Sequence, residues 1–429
     1  MNSKILALAI TMLLAFSAVL ATASVQENTE VFSSSIEYVP ELEISFTDRN
    51  VVVFSDDDFS KKVEKDLSEA TSKINIGSDL KEVQSGDIII VDSSWVYTND
   101  SKTISNDLKT IQKNNTPVIF TGNDLYPLLD TIIAPDRKTY QGDENIYCNY
   151  IHSDGISYSY CITNSDETKA IQEAYSWTDA VLSDDPRKAI WDFSWYKTDV
   201  DTSSSQKEPN PQPIKAAAGN SPHWDTILLS SKSQSFSKGS LVVNVHVQKL
   251  MDYDNGEKYF AFIYRQFGEP DLSANMRLAD IYAKNKQGQP VLYDHNPPST
   301  SGTSTVSASL GIGISGSGPS ANGSIGWSYS ISDVVLLNTT QIGTQTINFW
   351  HDVSEDKGVG MGYIAEPGVV MKIPSTAQLC HTGLYHEVQF CKRTDVYMHL
   401  VGGLISIHTG YKYIDFQKFG FNWMIAVGG

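Results

Sequence analysis

Four aspartates in the first quarter of the chain have the spacing of residues that could act as acid and base. Asp56, Asp57 and Asp58 directly follow the apolar run NVVVFS, and Asp92 ends a second apolar run, DIIIVD. In sheets of parallel strands, residues just past the strand ends face the ligand crevice. Two interpretations stay open: a carboxylate site, which predicts a hydrolase, and carboxylates that cap the next helix. Because no Gly-rich phosphate loop or G-x-S-x-G motif accompanies them, capping is favoured and no catalytic residue is predicted.

The same aspartates loosely resemble the acidic pocket of response-regulator receiver domains, and the segment around them is similar to receiver and flavodoxin-like domains. In receiver domains carboxylates hold magnesium and one of them accepts a phosphoryl group. Thr121 stands where such a domain keeps a hydroxyl, but no lysine appears near Tyr147, where that family needs its cation. The resemblance implies an α/β fold here. We predict no metal, no cofactor and no enzymatic activity.

The first 23 residues have the three parts of a secretory signal peptide. Lys4 provides the positive start, Ile5–Leu20 an almost unbroken apolar run, and Ala21-Thr22-Ala23 a small-residue cleavage pattern. An uncleaved anchor is the alternative, although the run is shorter than the roughly 20 residues of a spanning helix. In either case the rest of the chain is predicted to lie outside the cytoplasm, secreted or at a cell surface.

Export determines how the four cysteines are interpreted. Cys148 and Cys161 flank a predicted hairpin, and Cys380 and Cys391 flank a second short segment. In an oxidising compartment this spacing predicts two local disulfides. The alternative for the second pair is a zinc site that adds His381 and His386, but no C-x-x-C spacing supports it.

The 429 residues predict an α+β multidomain protein. Residues 24–47 form an N-terminal arm, and 48–198, where strand and helix signals alternate, an α/β domain with a mainly parallel sheet. Residues 199–222, in which Pro209, Pro211 and Pro213 stiffen the chain, form a linker. Residues 223–429 have the short, regularly spaced strand signals of an all-β sandwich or barrel, with Leu272–Lys284 as the main helix signal.

Charge is divided between these two halves. The chain has a net charge of −18, yet residues 223–429 hold 16 acidic and 14 basic residues, so the N-terminal half carries nearly all of the excess. An acidic protein of this kind repels phosphate backbones, which counts against nucleic acid as a partner. The almost neutral C-terminal half can approach an anionic lipid surface at little electrostatic cost.

A tract without Asp, Glu, Lys, Arg or His runs from Asn296 to Ser332. Within it, two runs alternate strictly between apolar and small polar residues, which predicts a β-hairpin with one apolar face. The apolar face consists of Val306, Ala308, Leu310, Ile312, Ile314, Ile325, Trp327, Tyr329 and Ile331, and the tip of Gly316, Gly318, Pro319 and Gly323.

Two interpretations of this hairpin compete. In the first, its apolar face covers the core of its own domain and the other face meets water. In the second, hairpins from several copies close into a membrane barrel, whose strands need roughly 9–11 residues. Val306–Ser315 and Ser324–Asp333 have about that length, and no residue before Asp333, the last of the second run, would bring a charge to lipid.

The segment Ser304–Val334, STVSASLGIGISGSGPSANGSIGWSYSISDV, resembles the stem of the leukocidin/α-hemolysin family of β-barrel pore-forming toxins. The similar features are the Ser-x-x-Leu-Gly start, the tip sequence SGPS and the final SYS. Flanking segments are similar to strands of the same family, so the resemblance covers residues 223 to about 373. It implies a secreted monomer with a leukocidin-like sandwich that assembles as a homo-oligomeric ring on a lipid membrane and inserts its stem.

Some features depart from that family. Its lipid-contacting rim uses aromatic and basic residues, for which Tyr385, Arg393 and Tyr397 are the candidates here. The α/β half and the Cys380/Cys391 pair are not family features. The predicted function is therefore pore formation, with a surface receptor or glycan as a further candidate partner. The alternative is a non-lytic adhesion or carbohydrate-binding surface protein.

Overall fold

The computed structural model describes residues 48–122, 125–133, 139–140, 144–193, 222–253, 255–271, 276–287, 290–301, 305–311, 324–330, 334–353, 362–400 and 405–428. The predicted signal peptide, the arm and most of the linker lie outside this set. In the part of the chain that is described, helices are all too short or too polar to cross a bilayer.

The helices lie almost entirely in the N-terminal half, whereas strands occur throughout. The helices are α1 (Asp57–Asp66), α2 (Ser93–Thr98), α3 (Ser101–Lys113), α4 (Leu125–Ile132), α5 (Glu167–Val181) and α6 (Pro186–Trp191). The strands of that half are β1 (Val51–Phe54), β2 (Ile74–Ile76), β3 (Ile88–Asp92), β4 (Val118–Thr121), β5 (Thr139–Tyr140), β6 (Ile146–Ile151) and β7 (Ser157–Thr163).

The C-terminal half is described as strands joined by turns and loops. These strands are β8 (His223–Phe236), β9 (Gly239–Met251), β10 (Glu257–Pro270), β11 (Met276–Lys286), β12 (Val291–Asn296), β13 (Thr300–Ser301), β14 (Thr305–Gly311), β15 (Ser324–Ser330), β16 (Val334–Asn338), β17 (Thr346–Val353), β18 (Tyr363–Ala365), β19 (Gly368–Pro374), β20 (Leu379–Leu400) and β21 (Ile405–Gly428).

Helices cover both faces of the N-terminal strands, which explains why those strands are continuous apolar runs. On one face Val51 and Ile88 pack with α1 and α5, and on the other Ile89 and Phe120 pack with α3 and α4. Strands β2, β1, β3 and β4 are parallel, but β4–β6 and β6–β7 are antiparallel. The sheet of this half is thus mixed, and the predicted mainly parallel domain is not confirmed.

One sheet continues across the position of the predicted linker. Its order is β12-β19-β10-β9-β8-β7-β6-β4-β3-β1-β2, with β18 also paired to β10. The connection is the parallel pair β7–β8, in which Ser157 lies opposite Leu228 and Thr163 opposite Gln234. Lys232 of β8 adds a buried ion pair with Glu144, with 2.9 Å between Nζ and Oε1. The two halves therefore share backbone hydrogen bonds and a buried charge pair.

A second sheet packs on the C-terminal part of the first. Its order is β13-β16-β17-β11-β20-β21-β5. The core between the sheets joins Phe260 and Phe262 of β10 with Ile281 of β11, Phe349 of β17 and Val388 of β20. Two sheets that share one apolar core form a sandwich, which is one of the two architectures that the strand pattern of this half predicts.

The helix signal at Leu272–Lys284 is wrong, because β11 occupies Met276–Lys286. A β-bulge between Leu278 and Asp280 shifts the register against β20. The extra residue places the buried Leu278 and Ile281 three positions apart, which is helical spacing, although both are core residues of one strand. The bulge therefore imitates a helix in the sequence.

The predicted disulfides are also wrong. Cys148 lies opposite Tyr160 and Cys161 opposite Tyr147. Since successive side chains of a strand point to opposite faces, the two thiols lie in different cores. Both other cysteines lie on the single strand β20. Eleven residues of extended chain span roughly 36 Å, whereas a disulfide needs Cα atoms within about 7 Å. The zinc alternative needs the same convergence and fails for the same reason.

Candidate functional site

Strands β14 and β15 form the hairpin that the uncharged tract predicts. Val306 lies opposite Tyr329, Ala308 opposite Trp327, and Leu310 opposite Ile325. Directly opposed residues of an antiparallel pair lie on the same face of the ribbon. The six apolar positions therefore share one face, and the serines and glycines between them occupy the other.

The apolar face of the hairpin is buried in the sandwich core. Ala308 is 5% exposed, Leu310 is 0% and Ile325 is 3%, and all three belong to the cluster formed by both sheets. Ser309, which lies between two of them, is exposed. In this conformation the hairpin covers the core of its own domain.

The hairpin is a two-stranded sheet of its own. Among the described strands, β14 and β15 share a ladder of backbone hydrogen bonds only with each other. Strand β14 contacts β12 and β19 of the large sheet, through side chains. Packing, with no ladder to another described strand, thus holds the hairpin in place.

Hydrogen bonds do hold the two ends of this segment. Before β14, β13 pairs with β16, so that Thr300 lies opposite Leu336. Asn338, at the end of β16, donates from Nδ2 to the carbonyl oxygen of Pro297 at 2.6 Å, and its backbone N–H donates to Ser299 Oγ at 2.8 Å. The base of the hairpin is consequently fixed to the second sheet.

Several predicted stem residues lie outside the described residues. They are Ile312, Ile314 and Ile331 of the apolar face and Gly316, Gly318, Pro319 and Gly323 of the tip. Their roles stay a prediction.

Strands β20 and β21 form a second hairpin that projects from the sandwich. Beyond Lys392, which pairs with Met276 of β11, the described residues of β20 pair only with β21. We call residues 393–400 and 405–413 the distal ribbon. Tyr397 and Tyr411 are each 51% exposed there, and Val396 and Ile407 are also exposed.

Aromatic and charged side chains cluster on the distal ribbon, where His408 also lies 3.3 Å from Asp395. The His408 ring lies 5.5 Å from that of Tyr397 and 4.9 Å from that of Tyr411, and the Arg393 guanidinium lies 4.3 Å from the Tyr411 ring centroid. Two of the three candidate rim residues, Arg393 and Tyr397, are therefore in the ribbon. The third, Tyr385, lies far from it within the sheet and donates its hydroxyl to Glu387 at 2.9 Å.

The aspartates of the N-terminal half act mainly as helix caps. Asp56 accepts a hydrogen bond from the backbone N–H of Phe59 at 2.9 Å, and Asp92 accepts one from that of Ser94 at 3.2 Å. Asp57 and Asp58 are exposed in the first turn of α1. In the described part of the chain, no three acidic, histidine or cysteine residues come close enough to hold a metal.

A buried ion cluster next to β19 is a feature that sequence reasoning missed. The Arg265 guanidinium lies 3.2 Å from both Asp192 and Glu366. Burial raises the pKa of Glu366 to about 7, although Arg265 opposes the shift. No sequence signal indicates this cluster, because Asp192 and Glu366 are 73 and 101 positions from Arg265 along the chain.

Three histidines are buried in the strands of the sandwich. Burial lowers the pKa values of His246, His351 and His386 to about 3. All three are therefore neutral near pH 7. In contrast, the tract that contains the β14–β15 hairpin has no ionisable Asp, Glu, Lys, Arg or His.

Three solved structures are similar to about half of this chain. The first is Clostridium perfringens delta-toxin, with 11% identity over 49% of this chain and 92% of the toxin and a TM-score of 0.36. The second is a pore forming protein, with 11% identity over 50% of this chain and 94% of that protein and a TM-score of 0.35. The third is the C. perfringens NetB toxin in its membrane inserted form, with 10% identity over 48% of this chain and 97% of the toxin and a TM-score of 0.29. No protein-family model and no curated protein matches the chain.

Proposed function

We propose that this protein forms pores in lipid membranes by inserting the β14–β15 hairpin. The observation that carries the proposal is the way the hairpin is held: it packs on β12 and β19 without joining their hydrogen-bond ladders. Among the described residues, release of the hairpin thus breaks packing contacts but no ladder of either large sheet.

The energetic cost of release is moderate. Burial of Ala308, Leu310 and Ile325 contributes about 5 kcal/mol at the usual value for apolar side chains. Acyl chains restore much of that term, because they offer the same side chains an apolar environment. A charge facing lipid would cost roughly 2–4 kcal/mol at the bilayer midplane, and the whole tract from Asn296 to Ser332 has none.

Oligomerisation provides hydrogen-bond partners for the backbone groups of the inserted hairpin. A lone hairpin in hydrocarbon leaves the outer N–H and C=O groups of both strands without partners. Hairpins from neighbouring copies that pair edge to edge satisfy these groups and close a barrel. The small polar face, with Ser307, Ser309 and Ser328, then lines a neutral channel.

The distal ribbon supplies the first contact with the membrane. Exposed tyrosines next to an arginine suit the interface between headgroups and acyl chains. The ribbon continues strands that are hydrogen bonded within the second sheet, so it can hold the sandwich on a bilayer while the hairpin moves.

A disulfide lock tests the proposal. Cysteines are introduced by Ala308→Cys and on the adjacent strand β19, at a position chosen so that the two Cβ atoms can approach to about 4 Å. Vesicles loaded with a self-quenched dye should leak with the reduced protein and stay intact with the oxidised one. The matched control carries Ser309→Cys with the same β19 cysteine; it cannot cross-link, because position 309 faces away, and should leak under both conditions. Leakage by fully cross-linked protein contradicts the proposal, and absence of leakage by the unmodified protein favours the non-lytic alternative.

A further inference from the structure

A pocket of about 620 Å³ opens at the carboxyl ends of β3 and β4, in the N-terminal half. Its lining comes from the segments that follow those strands, from the start of β6 and from α1 and α5. Ligands of α/β sheets bind at this edge. The volume lies within the range of small-molecule sites, roughly 300–1,000 Å³.

Two polar groups meet in this pocket in fixed register. Asp92 and Thr121 lie directly opposite each other on the parallel strands β3 and β4. Thr121 is 3% exposed, and its Oγ1 is buried without a hydrogen-bond partner among the residues that the structure describes. A buried hydroxyl without a partner costs free energy, on the order of 1–3 kcal/mol, so its presence in a pocket wall indicates a ligand atom.

Asp92 has acceptor capacity left for the same ligand. Its carboxylate accepts from the backbone N–H of Ser94 at 3.2 Å and from the hydroxyl of Ser94 at 2.7 Å. An ionised carboxylate offers about four acceptor positions, so two stay available. Gly122, with φ of +98°, brings the backbone so close that a Cβ atom there would lie 2.4 Å from Asp92 Oδ1. The wall is therefore built around this carboxylate.

The rest of the lining determines the class of ligand. Phe59, Ile146 and Ile171 provide apolar walls, and Tyr97, 48% exposed, provides an aromatic ring. Among the described lining residues there is no lysine, arginine or histidine to hold an anion. Glu167 is paired with Lys62, and among the described residues no group of three acidic, histidine or cysteine side chains converges here to hold a metal ion.

We infer that this pocket binds an uncharged sugar residue of a glycan. Sugar hydroxyls can donate to Asp92 and exchange hydrogen bonds with Thr121 Oγ1, while the C–H faces of the ring pack on the apolar and aromatic walls. The site lies outside the hairpin and the distal ribbon, and sugar binding by it does not require pore formation.

Glycan binding by the full secreted chain tests the inference. An array of neutral oligosaccharides and their sialylated counterparts, lactose and sialyllactose among them, is probed first, and calorimetry then measures the Kd of the best neutral glycan. Thr121→Val should weaken binding at least tenfold while the Tm stays equal or rises, since it removes only an unpartnered hydroxyl. Asp92→Asn, which preserves a good helix cap, should also weaken binding.

The control is Ser231→Ala, because Ser231 Oγ is likewise buried without a partner among the described residues but lies outside the pocket lining. It should leave the Kd unchanged. The inference is overturned if no neutral glycan binds, if only sialylated glycans bind, or if Thr121→Val binds as the unmodified protein does. Dye release from glycan-free vesicles is measured in parallel, so that failure of sugar binding and failure of pore formation are seen separately.

Discussion

The hairpin β14–β15 and the hairpin β20–β21 are both amphipathic, yet they are attached to the sandwich in different ways. The first buries its apolar face and, among the described strands, shares no hydrogen-bond ladder with a neighbour. The second is paired with β11 and β5 at its base and exposes its aromatic side chains at its far end. Apolar residues are thus buried on the hairpin that has no ladder to another described strand and exposed on the hairpin that is hydrogen bonded into the second sheet.

This difference matches two steps of the proposed pore formation. A surface that finds the membrane must be exposed in water and rigidly attached. A segment that enters the membrane must be covered in water and weakly attached, because exposed apolar strands aggregate. The predictions below either separate these two roles or show that they are not separate.

The largest effect is expected from Leu310→Asp. The side chain is 0% exposed, so the substitution buries a carboxylate without a partner and should lower the free energy of unfolding by about 3–5 kcal/mol. It also places a charge on the lipid-facing side, so dye release should be abolished even from protein that remains folded. Urea unfolding and vesicle leakage measure the two effects.

Ser309→Asp is the matched control, one position along the same strand. Ser309 is exposed, so stability should change by less than about 0.5 kcal/mol. Leakage should persist, and single-channel currents should become cation-selective because the new carboxylates line the channel. Equal damage from both substitutions would show that the two faces of the hairpin do not have different roles.

Acid should lower the free energy of unfolding through His386, which lies on β20 of the hairpin β20–β21. Burial, with a smaller contribution from Lys232, lowers its pKa in the folded protein to about 3. The unfolded chain binds a proton near pH 6.5, so this contribution to stability is complete above pH 6.5 and is lost as the pH falls toward 3. Between pH 7 and 4.5 the loss is roughly 2–3 kcal/mol.

His386→Gln isolates this effect from those of the other buried groups. Urea unfolding at pH 7 and pH 4.5 should show a smaller acid-induced loss for the variant by about that amount. His246 and His351 act in the same direction as His386, whereas Glu366, whose folded pKa is raised, acts in the opposite one. An identical loss in the variant would mean that His386 takes up a proton in the folded protein.

A smaller effect is expected from Tyr397→Ala combined with Tyr411→Ala. Both rings are half exposed on the distal ribbon, so the double variant should retain its stability and bind liposomes about tenfold more weakly in a flotation assay. Ile76→Ala, which removes another exposed apolar side chain far along the chain on β2, is the control and should bind normally. Normal liposome binding by the double variant would contradict the proposal that the distal ribbon makes the first contact with the membrane.

The smallest effect is expected from Asp56→Ala. It removes the N-cap of α1 and should cost about 1 kcal/mol of stability, with dye release unchanged. Asp56→Asn, which can still cap, should leave stability close to that of the unmodified protein. Loss of leakage in a folded Asp56→Asn protein would revive the hydrolase interpretation of these aspartates.

Local patterns in the sequence predict much of this fold. The alternation at 306–310 and 325–329 gives the hairpin and its apolar face, because a strand has a period of two and this face is continuous. The capping role of Asp56 also follows from its position between an apolar strand and a charged helix.

Features that depend on register or on distant residues are not predictable in this way. The faces of Cys148 and Cys161 are set by the register of β6 and β7, and a shift of one position would reverse them. The bulge near Leu278 imitates helical spacing. The contact of Arg265 with Glu366 joins residues 101 positions apart, and the unpartnered hydroxyl of Thr121 becomes visible only after packing is known.

Quenching of tryptophan fluorescence by lipids brominated in mid-chain tests the central claim most directly. Trp327 lies on the apolar face of the hairpin and should enter the acyl region, whereas the other tryptophans stay in the parts that do not insert. The account predicts strong quenching of the unmodified protein on leaking vesicles and loss of most of that quenching in a Trp327→Phe variant that still causes leakage. Equal quenching of the two proteins, or no quenching while the vesicles leak, would contradict it.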